Sequence, residues 1–393
     1  MTVSNERIPT PADFERKLTH FINVTLLAGN AAVDRDTRLF EDGYMNSLRI
    51  LDLIAMVEKT LGRRVADRSV RLANFRTVAA IVSAFHPDAA ATAAPEMVAS
   101  DRVFERRTDR TRFASPVAAL EERGDLVVTG PGQVALSGLA LDVFDAVDGA
   151  VVRWAQSLGA AEHDYPAMID REVLERAGKL GHSERSEESV ASRAIGSPAV
   201  CYHAYPEWTG KALGPEPTLL TARGRCYRDE AGHVPLERLQ QFTMREIIVL
   251  GARDQVEHVR RSLITQVSEL VAALGLDASI DVAGDPFFAA GDEGRRLMQQ
   301  AAALKHELQL AVDASGRSIA AASFNHHYDF FGTRFDIRLA DGSPAHSGCV
   351  AFGLERWVLG VLAQHGTNDA DWPLAVRDWL RDARDTRRAG AGA

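Results

Sequence analysis

Three cysteines, two arginine-bearing runs, a histidine pair and one serine are the positions of this 393-residue chain whose residue types could do chemistry. Cys201, Cys226 and Cys349 are scattered too widely for a disulfide scaffold, and no compact zinc-finger spacing links them. Buried thiol is their default; metal ligand and nucleophile are the alternatives. The run Arg225-Cys226-Tyr227-Arg228-Asp229-Glu230 leads into a loop that returns through Arg238 to Phe242-Thr243-Met244-Arg245-Glu246. Farther on stands Gly353-Leu354-Glu355-Arg356. Surface Arg–Glu pairs are common and nearly neutral, but planar guanidiniums also grip phosphate oxygens in a bidentate way that lysine cannot. His326 and His327 suggest metal, yet neighbours on a strand face opposite ways, so packing explains them better. Ser47 sits where a helix N-cap belongs.

These residues need elements to hold them. Apolar positions at helical spacing mark Asp13 to Leu27 and Ser47 to Leu61, with Gly62 as the stop, and a short helix runs from Thr77 to Phe85. Pro87 to Pro95 is small, alanine-rich and without a residue to bury, hence a linker. Beyond it, strands are expected at Thr243 to Leu250, Ser318 to Phe324, Thr333 to Arg338 and Cys349 to Gly353. Helices are expected over 101–122, 140–158, 254–275 and 292–304. Strands between long helices suggest an α/β or α+β catalytic domain. His182 to Ser189 is polar and without apolar period, which reads as a solvated insertion.

Composition narrows the class. Hydrophobic residues make up 46% and charged residues 25%, ordinary for globular domains. No apolar run approaches the roughly 20 residues of a spanning helix, and the first residues lack a basic start followed by an apolar stretch. A cytoplasmic protein is expected. The net charge of −9 disfavours coating nucleic acid.

The helical layout of the first 87 residues, with a polar loop before the Ser47 helix, resembles an acyl or peptidyl carrier protein. In that family a serine in an Asp-Ser-Leu setting carries 4′-phosphopantetheine. Ser47 and Leu48 match, whereas Asn46 replaces the aspartate and removes a charge near the modifying enzyme's docking point.

The two arginine runs, in this order, resemble motifs 2 and 3 of class II aminoacyl-tRNA synthetases, closest to the seryl enzymes. The resemblance implies that Arg228 holds the α-phosphate of ATP, Glu230 accepts from the adenine amino group, Phe242 stacks on adenine and Arg356 holds the γ-phosphate. Arg238 belongs to the same ATP set, and Lys305 faces ATP or substrate; Arg228, Arg356 and Lys305 would form the catalytic group. Asp142-Val143-Phe144 through Tyr165-Pro166 looks like a weak motif 1, which implies a homodimer by analogy. In one branch of seryl-type enzymes a Cys-Glu-Cys triad holds zinc and takes the substrate's amino group; Cys201, Glu246 and Cys349 fall at those motif positions. Cys226 has no part in that pattern. Ser323 and Asn325, with Glu246, would lie beside the substrate and its adenylate. The chain departs from the seryl pattern at Ala320 and Ala321, where those enzymes bring a glutamate.

No long N-terminal coiled coil for grasping tRNA is visible. The whole therefore resembles the truncated synthetase homologues that are amino acid:[carrier protein] ligases, fused to a carrier module. The implied fold is α+β: an antiparallel class II sheet flanked by helices over 101–385, a linker at 88–100, and a four-helix carrier bundle at 1–87. The implied reaction needs ATP with Mg2+, Zn2+ and a small amino acid, glycine or alanine. The acceptor is phosphopantetheine on Ser47 or on a separate carrier, with no tRNA and no membrane as partner. A fused carrier raises the local concentration of its arm to about millimolar. As a coil, the roughly 13 linker residues would span about 20 Å. The rival expectation is a non-catalytic, synthetase-like protein that binds amino acid or nucleotide as a regulator or scaffold.

Overall fold

The computed structural model describes residues 9–27, 29, 32–39, 44, 49–65, 72–88, 102–108, 116–179, 193–229, 232–283, 305–313 and 315–391. Ser47, the expected helix at 292–304, the 182–189 segment and nearly all of the expected linker lie outside them. Two compact units divide the chain: Met1–Asp101 with Val282–Leu304, and Arg102–Asp281 with Lys305–Ala393.

In the first unit the helix Pro11–His20 starts where Thr10 accepts from the Asp13 amide, and it runs on as a wider π-turn over Phe21–Leu26. Arg49–Leu61 follows and stops at Gly62, whose φ of +65° suits glycine. Leu72–Phe75 and Val78–Phe85 complete four α-helices among the described residues, the last capped by Thr77. Phe14, Leu18, Ile22, Leu53, Val57, Phe75, Ile81 and Phe85 meet in one core. Each such side chain, fully buried, contributes roughly 1.5–3 kcal/mol.

The second unit is built on eight strands: β1 (Arg102–Arg106), β4 (Ala161–His163), β7 (Thr218–Tyr227), β8 (Gln241–Gly251), β9 (Ala278–Val282), β10 (Lys305–Ala311), β11 (Ser318–Tyr328) and β12 (His346–Gly353). Their spatial order is β1-β9-β10-β11-β12-β8-β7-β4. Two hairpins stand apart, β2 (Leu126–Gly130) with β3 (Gln133–Leu136) and β5 (Met168–Asp170) with β6 (Ala194–Gly196). The β7–β8, β8–β12, β12–β11 and β11–β10 pairings are antiparallel. β4 joins β7 in parallel, so the expected antiparallel sheet is mixed at this edge.

Alternation along the strands sorts their side chains onto two faces. Ile247, Val249, Val350, Phe352, Phe324 and Leu308 enter the main core with the helices Gly138–Ser157, Arg253–Ala273 and Leu354–His365. Contact there is close: a Cβ at Gly360 would stand 2.6 Å from Leu310. The opposite face carries Phe242, Met244 and Glu246 of β8, Cys349 and Ala351 of β12, Ser323 and Asn325 of β11, and Lys305 and Glu307 of β10.

Two expected elements differ. Thr333 to Arg338 alternates like a strand, but its first half lies in the helix Phe330–Phe335, because Phe331 and Phe335 turn onto Tyr205, the first stacked at 4.1 Å. In the expected 101–122 helix, Arg102–Arg106 is instead the edge strand β1, tied by Arg102 to Asp281 at 2.6 Å, and the helix begins at Pro116. Long-range pairing overrides local propensity there. Strands β7, β9 and β10 were not expected.

Behind the sheet, Arg260 donates to His306 Nδ1 at 2.8 Å. Burial and the Arg260 charge push His306 down to about 4, and burial with His326 pushes His346 down to about 4. Both rings are neutral when folded and start from 6.5 unfolded, so the stability they contribute is complete above about 6.5 and is lost as pH falls toward 4. The urea midpoint should therefore drop between about pH 7 and about pH 5. His306→Gln keeps an acceptor for Arg260 without a titrating ring and should flatten that drop; an unchanged slope would count against this account.

Candidate active site

Glu246 lies near the middle of β8, in the apolar stretch that makes this a buried central strand. Cys349 sits one strand over on β12, opposite Ile248, and Cys201 on the single turn Val200–His203. One ligand atom from each of Cys201, Glu246 and Cys349 lies within 4.8 Å of the others. All three side chains are buried, at 0%, 0% and 2% exposure. The Val200 amide donates to Glu246 Oε1 at 2.8 Å, which pins the cysteine-bearing turn against the strand. Among the described residues, Glu246 Oε2 is buried without a hydrogen-bond partner.

The electrostatics are adverse as they stand. Burial pushes the Glu246 carboxyl up. The hydrogen bond to Cys349, burial and the nearby Glu246 hold the Cys201 thiol well above its usual value. Burying an unpartnered carboxylate oxygen costs about 1–3 kcal/mol. A divalent cation relieves all of this, and two sulfurs with one oxygen suit a borderline-soft ion whose fourth position stays open. Cys226 takes no part; it is buried with Val200, Ala222, Met244 and Ala351.

Beside the triad lies an open cleft. Arg228, Phe242, Lys305, Ser323 and Arg356, all expected site residues, line it. The Arg228 guanidinium stands over the Phe242 ring at 5.1 Å, with Nε donating to the Pro198 carbonyl at 3.3 Å. Arg356 lies in the first turn of the helix Leu354–His365 and donates to the carbonyls of Glu237 and Ala320 at 2.8 and 2.9 Å. The start of that helix is held to β8 by Glu355, which accepts from the Thr243 amide and hydroxyl at 2.9 Å. Asn325 is buried between cleft and triad: its Nδ2 donates to Ser323 Oγ at 3.0 Å and reaches Cys349 Sγ at 3.5 Å. Arg238 is exposed in the loop joining β7 and β8 and is not among the lining residues. Glu230 lies outside the described residues.

Among the lining residues that escaped sequence reasoning are Glu307 and Leu236. Glu307 pairs with Lys305 at 2.6 Å and lies opposite Ser323 in register. It brings a carboxylate into a cleft where Ala320 and Ala321 offer none, and its signal was the two-residue spacing from Lys305 along a strand. Leu236, fully buried, holds a left-handed φ of 63°, a strained conformation for a branched side chain, and no local pattern announces it.

Residues 183–365 match the family model of the tRNA synthetase class II core domain (G, H, P, S and T). Over 290 residues the chain is 33% identical to amino acid–[acyl-carrier-protein] ligase 2 of Bradyrhizobium diazoefficiens, covering 66% of this chain and 86% of that relative. Over 260 residues it is 37% identical to ligase 1 of the same organism, covering 59% of this chain and 79% of that relative. The chain belongs to the amino acid–[acyl-carrier-protein] ligase family. This ligase also shares its fold with the seryl-tRNA synthetase of M. kandleri solved with A. aeolicus tRNASec. The TM-score is 0.59 at 21% identity, over 72% of this chain and 63% of that one. The ligase is thus an enzyme on a class II synthetase core, an α+β domain whose mixed sheet is flanked by helices. No helix among its described residues is long and apolar enough to cross a membrane.

Proposed function

We propose that this ligase activates a small amino acid, glycine or alanine, with ATP and transfers it to the phosphopantetheine thiol of a carrier protein. The buried Cys201–Glu246–Cys349 triad, next to an arginine-lined cleft, is the observation that carries the reading. Zinc held by the triad would bind the substrate's α-amino group at its open position. Arg228 then grips the α-phosphate of the Mg2+-bound nucleotide while a substrate carboxylate oxygen attacks phosphorus and diphosphate leaves. Phe242 stacks on the adenine, Glu230 accepts from its amino group and Arg356 holds the γ-phosphate. Lys305, Ser323 and Asn325 flank the adenylate. In the second step the carrier's thiol sulfur attacks the activated carbonyl, the thiol proton is released and AMP departs, leaving a thioester.

The relatives' names carry the amino acid and the carrier. The donor chemistry of the site supports zinc, and the resemblance to the zinc-holding synthetases supports a small side chain. Ser47 in the first unit is the proposed attachment point, so that the acceptor is this chain's own arm, a dimer partner's arm or a separate carrier. The homodimer, a cytoplasmic location and the absence of tRNA as a partner belong to the same proposal.

Amino-acid-dependent ATP–pyrophosphate exchange, run with each standard amino acid, tests the activation step. Glycine or alanine should drive it, and silence with every amino acid would overturn the reading. After incubation with coenzyme A and a phosphopantetheinyl transferase, intact mass should show one added arm. Ser47→Ala should lose the arm and self-loading yet keep full exchange. An arm that persists in Ser47→Ala would place the attachment elsewhere.

A further inference from the structure

His326 and His327 face opposite sides of the sheet. His326 turns toward Glu257 of the packed helix, 3.6 Å away, whereas His327 turns toward the triad. The His327 ring is buried and held on three sides. Its Nδ1 meets Ser347 Oγ at 3.2 Å and the Tyr205 hydroxyl at 3.3 Å, and Phe331 closes edge-on at 5.0 Å. Its Nε2 lies 3.8 Å from Cys349 Sγ. Asn325 Nδ2 reaches the same sulfur at 3.5 Å. A buried ring needed only to fill space would be served by phenylalanine; here each ring nitrogen has a polar partner.

We infer that His327 is a positioning residue of the metal centre, whose Nε2–H donates to the Cys349 thiolate and, with Asn325, draws off part of its negative charge. The inference rests on the metal reading of the triad. A metal-held thiolate has lone pairs and no proton, so only an N–H directed at it is attractive. The two hydroxyls at Nδ1 can each donate, which leaves the single ring proton on Nε2. The charge balance shows why donors are needed. Two thiolates and a carboxylate around a dication leave one net negative charge buried in the domain, and N–H groups aimed at a sulfur offset it. Both donors reach Cys349, so this sulfur should give less electron density to the metal, which then draws more strongly on an amino group. Outer-shell partners of this kind typically change metal affinity by about 10–100-fold.

Two variants of similar bulk separate this role from packing. The His327→Gln amide reaches the Nε2 position and can still donate to sulfur; the His327→Asn amide reaches only the Nδ1 position. With cobalt(II) bound to the full-length protein, the thiolate-to-cobalt charge-transfer band should move to longer wavelength in His327→Asn and stay near wild type in His327→Gln. Zinc affinity, measured by competition with a chelator, should fall about 10-fold or more in His327→Asn and be largely restored in His327→Gln. A His327→Asn protein with wild-type band and affinity overturns the inference, as does a His327→Gln protein that matches it. If His327→Asn loses its cooperative thermal transition, His327→Gln decides alone: a band at the wild-type position supports the role, and a displaced band overturns it. Wild-type protein that takes up neither metal overturns the metal reading itself and this inference with it, an outcome distinct from uptake that ignores His327.

Discussion

Changing Cys349 to serine is expected to abolish zinc binding at the proposed site and to lower the proposed glycine- or alanine-dependent ATP–pyrophosphate exchange by more than about 100-fold, beyond the loss typical of an outer-shell partner. The hydroxyl of serine is nearly isosteric with the thiol but stays protonated and binds zinc poorly, so a three-donor site becomes a two-donor site. Cys201→Ser should behave alike, since both sulfurs and the Glu246 carboxylate lie within 4.8 Å of one another. In the proposed site, loss of the cation would leave the amino group without an anchor and the carboxylate no longer held against the α-phosphate. Zinc content by atomic absorption should fall with the exchange rate, while the melting transition should stay cooperative. Full exchange in Cys349→Ser, with or without zinc, would dispose of the triad as the substrate anchor. Cys226→Ser serves as the contrast: this sulfur is buried among Val200, Ala222 and Met244 and should leave both zinc content and exchange near wild type.

Arg228→Ala should lower the exchange rate by about 10²–10³-fold, the range for removing one preorganised donor at a centre where charge develops. Arg228 is exposed, donates to the Pro198 carbonyl at 3.3 Å, and rests over the Phe242 ring at 5.1 Å. That cation–π contact is worth about 0.5–1 kcal/mol at an exposed site, little enough for a nucleotide to displace it. The guanidinium charge is thus available for phosphate, and the ring beneath is available for the base. Because the amino group is proposed to bind the metal, the KM for amino acid should change far less than the maximal rate. Arg228→Lys should not rescue, since a point charge cannot reproduce the bidentate grip. Exchange near wild type in Arg228→Ala would assign the α-phosphate to another group.

The residues of this site were legible to very different degrees. Phe242, Met244 and Glu246 alternate along one strand, so their shared face follows from a period of two. Arg356 is the third residue after Gly353, at the start of an apolar helix, and two of the long helices show their period openly. Resemblance to a known family, not spacing, is what named Cys201, Glu246 and Cys349 together.

Local patterns are written in consecutive residues, and the sequence by itself determined these: helical faces, the apolar central strand, the order of the two arginine runs. The tertiary structure alone decided which strands lie side by side. Hydrogen bonds set β12 between β8 and β11 although long stretches of chain separate β8 from the other two, and only that order brings the sulfur of Cys349 to Glu246 and Asn325. The same long-range pairing put Glu307 into the cleft, made a strand of Arg102–Arg106 and left Thr333 free to coil into a helix over Tyr205. Strand pairing is a bargain between distant segments, and neither segment carries its partner's address.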